Sequence, residues 1–367
     1  MISRLSFLFA GVLSAGLLGS AHAQVGDQVA PVLAHPLFKD AGRGPAGTYT
    51  LPGGLSVLLS QSQGYLLSGT VQAKYEAPSG LSVSGGTGGV SGGTGAAQAT
   101  SAQGVSGANV TFKNVAAAIG VLSGYGDGLA GPLEQFLNRP DVPAQLERGF
   151  SIRADPFTIS ARTEAGVLKV TISQVQVPAE AFLPVKTVLP ARKAAARPVV
   201  LRVYSDFQCP FCQKFETETL PTLLAKLPDD VSIEFHQFPL EQIHPLARPS
   251  AEASECAGQQ GKFWAYKDAL FTDRSWLASN PQEVFKRLAG KVGLDVPAFQ
   301  KCVDTRAGKA AVDAGLLEAM KLGVNGTPTV FVNGFRAGNA YDANGLLNLI
   351  NFARVAGAVP APTPVKP

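Results

Sequence analysis

Two of the four cysteines stand in a Cys-x-x-Cys motif, Cys209-Pro210-Phe211-Cys212, and these are the residues best suited to chemistry. A spacing of three places both thiols on one helical turn, where a disulfide can form and open. At a helix N-terminus the free N–H groups and the dipole favour a thiolate, the nucleophile of disulfide exchange. Pro210 suits the first turn because its missing N–H needs no partner there. The motif predicts a catalytic dithiol of Cys209 and Cys212.

Other uses of this motif fit the sequence less well. A zinc site needs two more ligands, and His236 and His244 lack the required spacing. Covalent haem attachment needs a histidine after the second cysteine, where Gln213 stands. A purely structural disulfide over one turn closes almost no loop and adds little stability. We therefore expect no metal and no cofactor.

The elements that position the motif follow from the apolar pattern. An apolar strand at 199–204 leads directly into the motif, and a helical pattern with a kink at Pro221 follows at 211–227. Strands are predicted at 231–238 and 329–332, a helical region at 249–322, a turn at Asn333-Gly334 and a closing helix at 346–355. This order is that of an α/β thioredoxin fold with a helical insertion. In that fold a proline preceding the later strand faces the motif, and the Gly326-Thr327-Pro328-Thr329 run stands there.

The runs VYSDFQCPFC, HPLARPSAEASECAGQQGKFWAYKDALF, FQKC and GVNGTPTVFVNG resemble the DsbA-like thioredoxin-fold proteins of bacteria, in particular the branch with an SDFQCPxC motif. The resemblance covers about 198–355 and does not reach 24–183. It implies that Cys209 is the exposed nucleophile and Cys212 its buried partner. It also implies that Thr327 offers backbone hydrogen bonds to an extended substrate and that Pro328 is cis.

Three positions depart from that family. Phe211 replaces a histidine that stabilises the thiolate, Val203 stands where relatives often carry a buried acid, and Lys267 stands where they often have histidine. The strength of oxidation is therefore open. The resemblance also implies a structural disulfide between Cys256 and Cys302, with two unpaired buried thiols as the alternative.

The first 23 residues have the features of a secretory signal peptide. Arg4 gives the positive start, residues 5–19 are apolar, and Ala21-His22-Ala23 fits a cleavage site, so the mature chain is expected to begin at Gln24. An even number of cysteines suits an oxidising compartment, and a periplasm or cell envelope fits best.

Residues 24–183 contain no cysteine or tryptophan and predict a small α+β domain of unknown role. Strand patterns lie at 55–59 and 66–75, a hairpin at 157–175, and short helices at 114–122 and 133–137. A Gly/Ser-rich stretch at 79–109 predicts a flexible loop, residues 184–198 an interdomain linker, and residues 356–367 a disordered tail.

Together these features predict an exported thiol:disulfide oxidoreductase. The expected partners are exported proteins with thiols or disulfides. The net charge of +4 is too small to indicate nucleic acid. A membrane redox partner and a homo-oligomer formed through the N-terminal domain stay open. The alternative is a disulfide isomerase or reductase whose N-terminal domain dimerises or binds clients.

Overall fold

A computed structural model describes residues 25–76, 106–196, 198–278 and 280–357, apart from the side chains of 106–111. The chain divides into two compact units after Gln174. The predicted signal peptide, residues 79–105 of the predicted loop and the tail beyond Gly357 lie outside the described residues. Among the helices described, none combines the length and the hydropathy needed to cross a bilayer.

The first unit contains a seven-stranded antiparallel sheet in the order β1-β2-β3-β4-β7-β6-β5. Its strands are β1 Gly42–Arg43, β2 Thr48–Leu51, β3 Leu55–Ser62, β4 Tyr65–Lys74, β5 Phe150–Ala154, β6 Phe157–Glu164 and β7 Val167–Gln174. Its helices are α1 Val29–Leu33, α2 Pro36–Lys39, α3 Ser106–Ser123, α4 Asp127–Leu137 and α5 Val142–Arg148. The predicted α+β class is confirmed, although α3 and α4 are longer than the short helices expected, and α3 includes the last residues of the predicted loop.

Alternation along the strands buries one face of this sheet. In β7, for example, Leu168, Val170 and Ile172 are fully buried while the residues between them are half-buried. Helix α3 packs closely on β4, since a Cβ placed on Gly69 would lie 2.6 Å from a Leu122 methyl carbon. The apolar face of the sheet and the helices therefore share one core.

The second unit contains a five-stranded sheet in the order β12-β11-β9-β10-β8, in which only β9 and β10 run parallel. Its strands are β8 Val188–Leu189, β9 Val199–Ser205, β10 Val231–Gln237, β11 Thr329–Val332 and β12 Phe335–Arg336. Its helices are α6 Pro210–Lys214, α7 Leu220–Leu224, α8 Ala247–Gln259, α9 Phe263–Thr272, α10 Pro281–Lys291, α11 Val296–Asp304, α12 Lys309–Lys321 and α13 Ala343–Ala356. Helices α8 to α12 are inserted between β10 and β11. The predicted thioredoxin fold with a helical insertion is confirmed.

The helix after the motif has an irregular centre. A π-helical turn at Phe215–Thr219 separates α6 from α7, and Pro221 lies in the first turn of α7. The sequence predicts a kink at Pro221 itself. The irregularity instead precedes it, because the proline lacks the N–H that would bond back to the carbonyl four residues earlier.

The predicted linker is a structured part of the second unit, which begins at Val175 rather than after residue 183. The Val177 N–H donates to the Gly334 carbonyl oxygen at 2.9 Å, and Phe182 is buried against Phe331. Strand β8 then pairs antiparallel with β10 at the sheet edge. The prolines of this segment are compatible with the edge of a sheet, because an edge strand leaves some N–H positions unpaired and proline has no N–H to donate.

Candidate active site

The two motif cysteines lie where β9 gives way to α6. Cys209 is the N-cap residue of α6 and Cys212 lies inside its first turn. Both carry free thiols. Cys212 is fully buried, and Cys209 is only 3% exposed, so the expectation of an exposed Cys209 is wrong for this structure. The reason is the chain segment before β11, which lies against the Cys209 sulfur.

That segment contains a cis peptide bond between Thr327 and Pro328. The Cys209 Sγ lies 3.8 Å from the Thr327 carbonyl oxygen. The sheet register explains this proximity, because β11 begins at Thr329 and that residue pairs with Tyr204 near the end of β9. The structure therefore brings together Cys209, Cys212, Thr327 and Pro328, while Pro210 and Phe211 occupy the first helical turn.

The surroundings separate the acidities of the two thiols. A hydrogen bond from the Cys212 thiol, with N–H groups of Cys212 and Phe211, lowers the pKa of Cys209 to about 6 although burial opposes this. Burial, together with the nearby charge of Cys209, raises the pKa of Cys212 well above its ordinary value. Near neutral pH the site thus holds a Cys209 thiolate beside a protonated Cys212, which is the arrangement that disulfide exchange requires.

A buried carboxylate, Asp206, organises the loop before the motif. One of its oxygens accepts hydrogen bonds from the N–H groups of Gln208 at 2.7 Å and Cys209 at 3.3 Å. The N–H of Asp206 itself donates to the Cys212 sulfur at 3.4 Å. Asp206 is not among the residues predicted from the sequence, although its place in the SDFQ run immediately before the motif is a usable signal.

Asp206 also ties a second loop, between β10 and α8, to the motif. Its other oxygen accepts from the Leu240 N–H at 3.0 Å and lies 2.7 Å from Nδ1 of His244. In the same loop the Leu246 N–H donates to the Gln208 side-chain oxygen at 2.7 Å. His244, considered in the sequence only as a metal ligand, is therefore a partner of the Asp206 carboxylate.

The three departures from the family occupy different surroundings. Phe211, inside the motif, is 63% exposed, whereas Val203 is buried in the sheet. Lys267 is buried in α9, and its Nζ lies 2.5 Å from a Glu216 oxygen and 2.9 Å from Asp268. Burial raises the pKa of the Glu216 carboxyl. Burial also lowers the pKa of Lys267, but the neighbouring carboxylates more than offset this and the net direction is upward.

Cys256 and Cys302 form a disulfide that joins α8 to α11, with a sulfur–sulfur distance of 2.02 Å. Their Cα atoms lie 5.8 Å apart, within the ordinary range for a disulfide. The bridge closes a 46-residue span of the helical insertion. Within the described residues, no group of three metal-ligating side chains comes together.

Comparison with known proteins agrees with this fold. Residues 192–351 match a family model described as thioredoxin. Over 161 residues the chain is 37% identical to a Na⁺/H⁺ antiporter NhaA 1 of Mycolicibacterium vanbaalenii, a match covering 43% of this chain and 25% of that protein. An NhaA antiporter of Herminiimonas arsenicoxydans is 33% identical over 151 residues, 41% of this chain and 23% of that protein. The chain thus spans about a quarter of the length of these curated relatives.

Among solved structures, alpha-DsbA1 of Wolbachia pipientis is 23% identical with a TM-score of 0.41, covering 50% of this chain and 97% of that one. BdbD of Bacillus subtilis is 20% identical with a TM-score of 0.40, covering 48% and 94%. The family match and the topology of the second unit agree with each other. The second unit has a thioredoxin fold, as the sequence resemblance predicts.

Proposed function

We propose that this chain is an exported thiol:disulfide oxidoreductase that catalyses disulfide formation or exchange in envelope proteins through Cys209 and Cys212. The observation that supports it most is the placement of Cys209 as the N-cap of a helix, with Cys212 buried behind it and the Thr327 carbonyl in front. The sulfur that is most easily ionised is also the one that lies against the cis-proline segment. Strand addition at such a segment is a general mode of peptide recognition.

The oxidising direction proceeds in two exchanges. A client thiolate attacks the Cys209 sulfur of the oxidised protein, the Cys209–Cys212 bond breaks, and its electron pair leaves on Cys212, which takes up a proton. A second client thiolate then attacks the client sulfur of the mixed disulfide and releases the Cys209 thiolate. The client loses two electrons and the protein gains two. A membrane redox partner that restores the disulfide is part of the proposal.

The alternative function is a disulfide isomerase or reductase. It is favoured by the separate first unit, a compact sheet domain that a small oxidase does not need. In that case the Cys209 thiolate attacks a disulfide of the client, and the first unit dimerises or binds the client. Export of the chain and its location in the periplasm or cell envelope are shared by both functions. The transport activity in the names of the antiporter relatives is not part of either.

Refolding of a disulfide-containing client protein distinguishes the two functions. The oxidised chain should speed disulfide formation in the reduced, unfolded client at least as well as it rescues a client with scrambled disulfides. A protein active only on the scrambled client would favour the isomerase. The C209S/C212S variant is the control, and activity that survives in it would overturn both functions.

A further inference from the structure

Arg274 binds the backbone immediately before the nucleophile. It begins a short 3-10 turn, Arg274–Leu277, that follows α9 in the helical insertion. One guanidinium nitrogen donates to the Phe207 carbonyl oxygen at 2.9 Å and another donates to the Gln208 carbonyl oxygen at 2.7 Å. The two hydrogen bonds hold successive residues of the loop that ends at Cys209. A planar guanidinium is suited to such a paired contact, whereas an ammonium group is not.

The guanidinium is held in place and has no carboxylate partner of its own among the described residues. Its central carbon lies 5.6 Å from the ring centre of Trp276, a fully buried side chain. The adjacent Asp273 is bound instead to Ser275 and to Arg287. Arg274 is half-buried, so its charge is screened less than that of a surface residue.

Several charged or titratable groups surround the dithiol and the loop before it, and they come from different elements. Asp206 lies in the loop after β9, His244 in the loop after β10, and Tyr341 before α13. His244 is bound to the Asp206 carboxylate. Arg274 is the permanent cation of this set. Burial lowers its pKa, while the negative charges of Asp206, Cys209 and Cys212 act to raise it.

We propose that Arg274 is a positioning residue of the dithiol site, which holds the loop before Cys209 and supplies the positive charge that Phe211 cannot supply. The charge stabilises the thiolate and hence the reduced form, so the disulfide is given up more readily. The same guanidinium binds the carbonyl oxygens of the two residues that precede Cys209. This inference rests on the proposed dithiol chemistry of Cys209 and Cys212.

The test is a set of three variants of the full chain, R274Q, R274K and R287Q. R274Q keeps N–H donors but loses the charge, and R274K keeps the charge but loses the planar fork. R287Q removes an arginine of the same neighbourhood that is bound to Asp273 rather than to the motif loop. The Cys209 pKa is read from the ultraviolet absorbance of the thiolate, and the equilibrium with glutathione is measured on the same samples. Thermal unfolding checks that each variant folds.

R274Q should raise the Cys209 pKa, and the equilibrium constant for oxidising glutathione should fall about tenfold for each unit of that rise, provided that the pKa stays below the pH of the assay. R274K should stay closer to the unchanged chain than R274Q does, and R287Q should match the unchanged chain. An R274Q pKa equal to that of the unchanged chain, or an R274K pKa equal to that of R274Q, would overturn the inference. If R274Q does not fold, R274M takes its place, since it also removes the charge, and a Cys209 pKa equal to that of the unchanged chain would again overturn the inference. Failure of the proposed function looks different, because the unchanged chain itself would then not exchange with glutathione.

Discussion

The Cys209 sulfur lies 3.8 Å from the Thr327 carbonyl oxygen, although the two residues are 118 positions apart in the chain. Antiparallel pairing of β11 with β9 produces this contact, since the residue after Pro328 is already part of the ladder. The nucleophile and the backbone of the cis-proline segment are therefore held together by the sheet. A client chain that lies along this segment would bring its own sulfur to Cys209.

The first prediction concerns which thiol attacks. In the C212A variant, mixed disulfides with client proteins should accumulate on Cys209, because the partner that resolves them has been removed. The measurement is a non-reducing gel with mass mapping of the linked peptide. C209A is the matched control and should trap none. Equal trapping by both variants would contradict the assignment of Cys209 as the nucleophile.

The pH dependence of alkylation tests the separation of the two thiols. The reduced protein should react with iodoacetamide at Cys209 with a half-maximal rate near the pKa of about 6. The sign follows from the lowered pKa, since thiolate persists above that pH and is lost as the pH falls through it. Cys212, whose pKa burial raises, should stay unlabelled near neutral pH. Labelling of Cys212 before Cys209 at mildly acidic pH would reverse the assignment.

Removal of the disulfide between Cys256 and Cys302 should lower the stability of the protein without changing the Cys209–Cys212 site. In the chain-entropy model, a disulfide that closes a 46-residue span raises the unfolding free energy by roughly 4 kcal/mol. The C256A/C302A variant should therefore lose up to that amount of unfolding free energy, measured by urea denaturation, while the Cys209 pKa stays the same. Mass mapping of unreduced peptides is the companion measurement. Free thiols at both positions would rule out the bridge.

Lys267 is expected to stabilise the folded protein because it neutralises the buried Glu216 carboxylate. Lys267 and Glu216 are both almost fully buried, so K267M would leave the Glu216 carboxylate without its partner. Breaking a buried pair in this way costs about 3–5 kcal/mol of unfolding free energy. The K267M/E216Q double variant should recover part of that loss. A K267M cost below about 1 kcal/mol, typical of an exposed pair, would show that the interaction is not buried in solution.

The first unit is predicted to serve self-association or client binding rather than chemistry. A shortened chain that begins at Val175 should keep dithiol exchange with glutathione, because the second unit contains the whole motif site. One that begins at Pro198 should be less stable, since it lacks β8 and the buried Phe182. Correct folding of the longer fragment with loss of glutathione exchange would contradict this division of roles.

Local patterns were sufficient to predict the strands and helices that surround the motif. The apolar run before Cys209 and the Asn333-Gly334 turn are read from neighbouring residues, and the structure has a strand and a hairpin turn there. The segment before Pro198 was predicted wrongly because its prolines and charges suggest a linker. Its role depends on non-local contacts, such as the bond between Thr187 and the Phe235 carbonyl.

The active site also combines residues that local sequence patterns predict with residues that are brought in by non-local contacts. Cys209 and Cys212 are three positions apart in a recognisable Cys-x-x-Cys motif, so they can be predicted from the sequence alone. Asp206, His244 and Arg274 act through contacts that span up to 67 positions, and no spacing rule connects them. The burial of Cys209 likewise depends on a segment more than a hundred residues away. Such features require the tertiary structure.

The most direct test of the account is the reduction potential of the Cys209–Cys212 pair in the mature protein. Equilibration with glutathione buffers, followed by a measurement of the oxidised fraction, gives this value. The low pKa of Cys209 favours the reduced form, while Phe211 adds no charge of its own. We therefore expect a potential between about −270 mV and about −120 mV, the values of thioredoxin and DsbA. A potential at or below that of thioredoxin would contradict the proposed function as a disulfide oxidant and favour the reductase alternative.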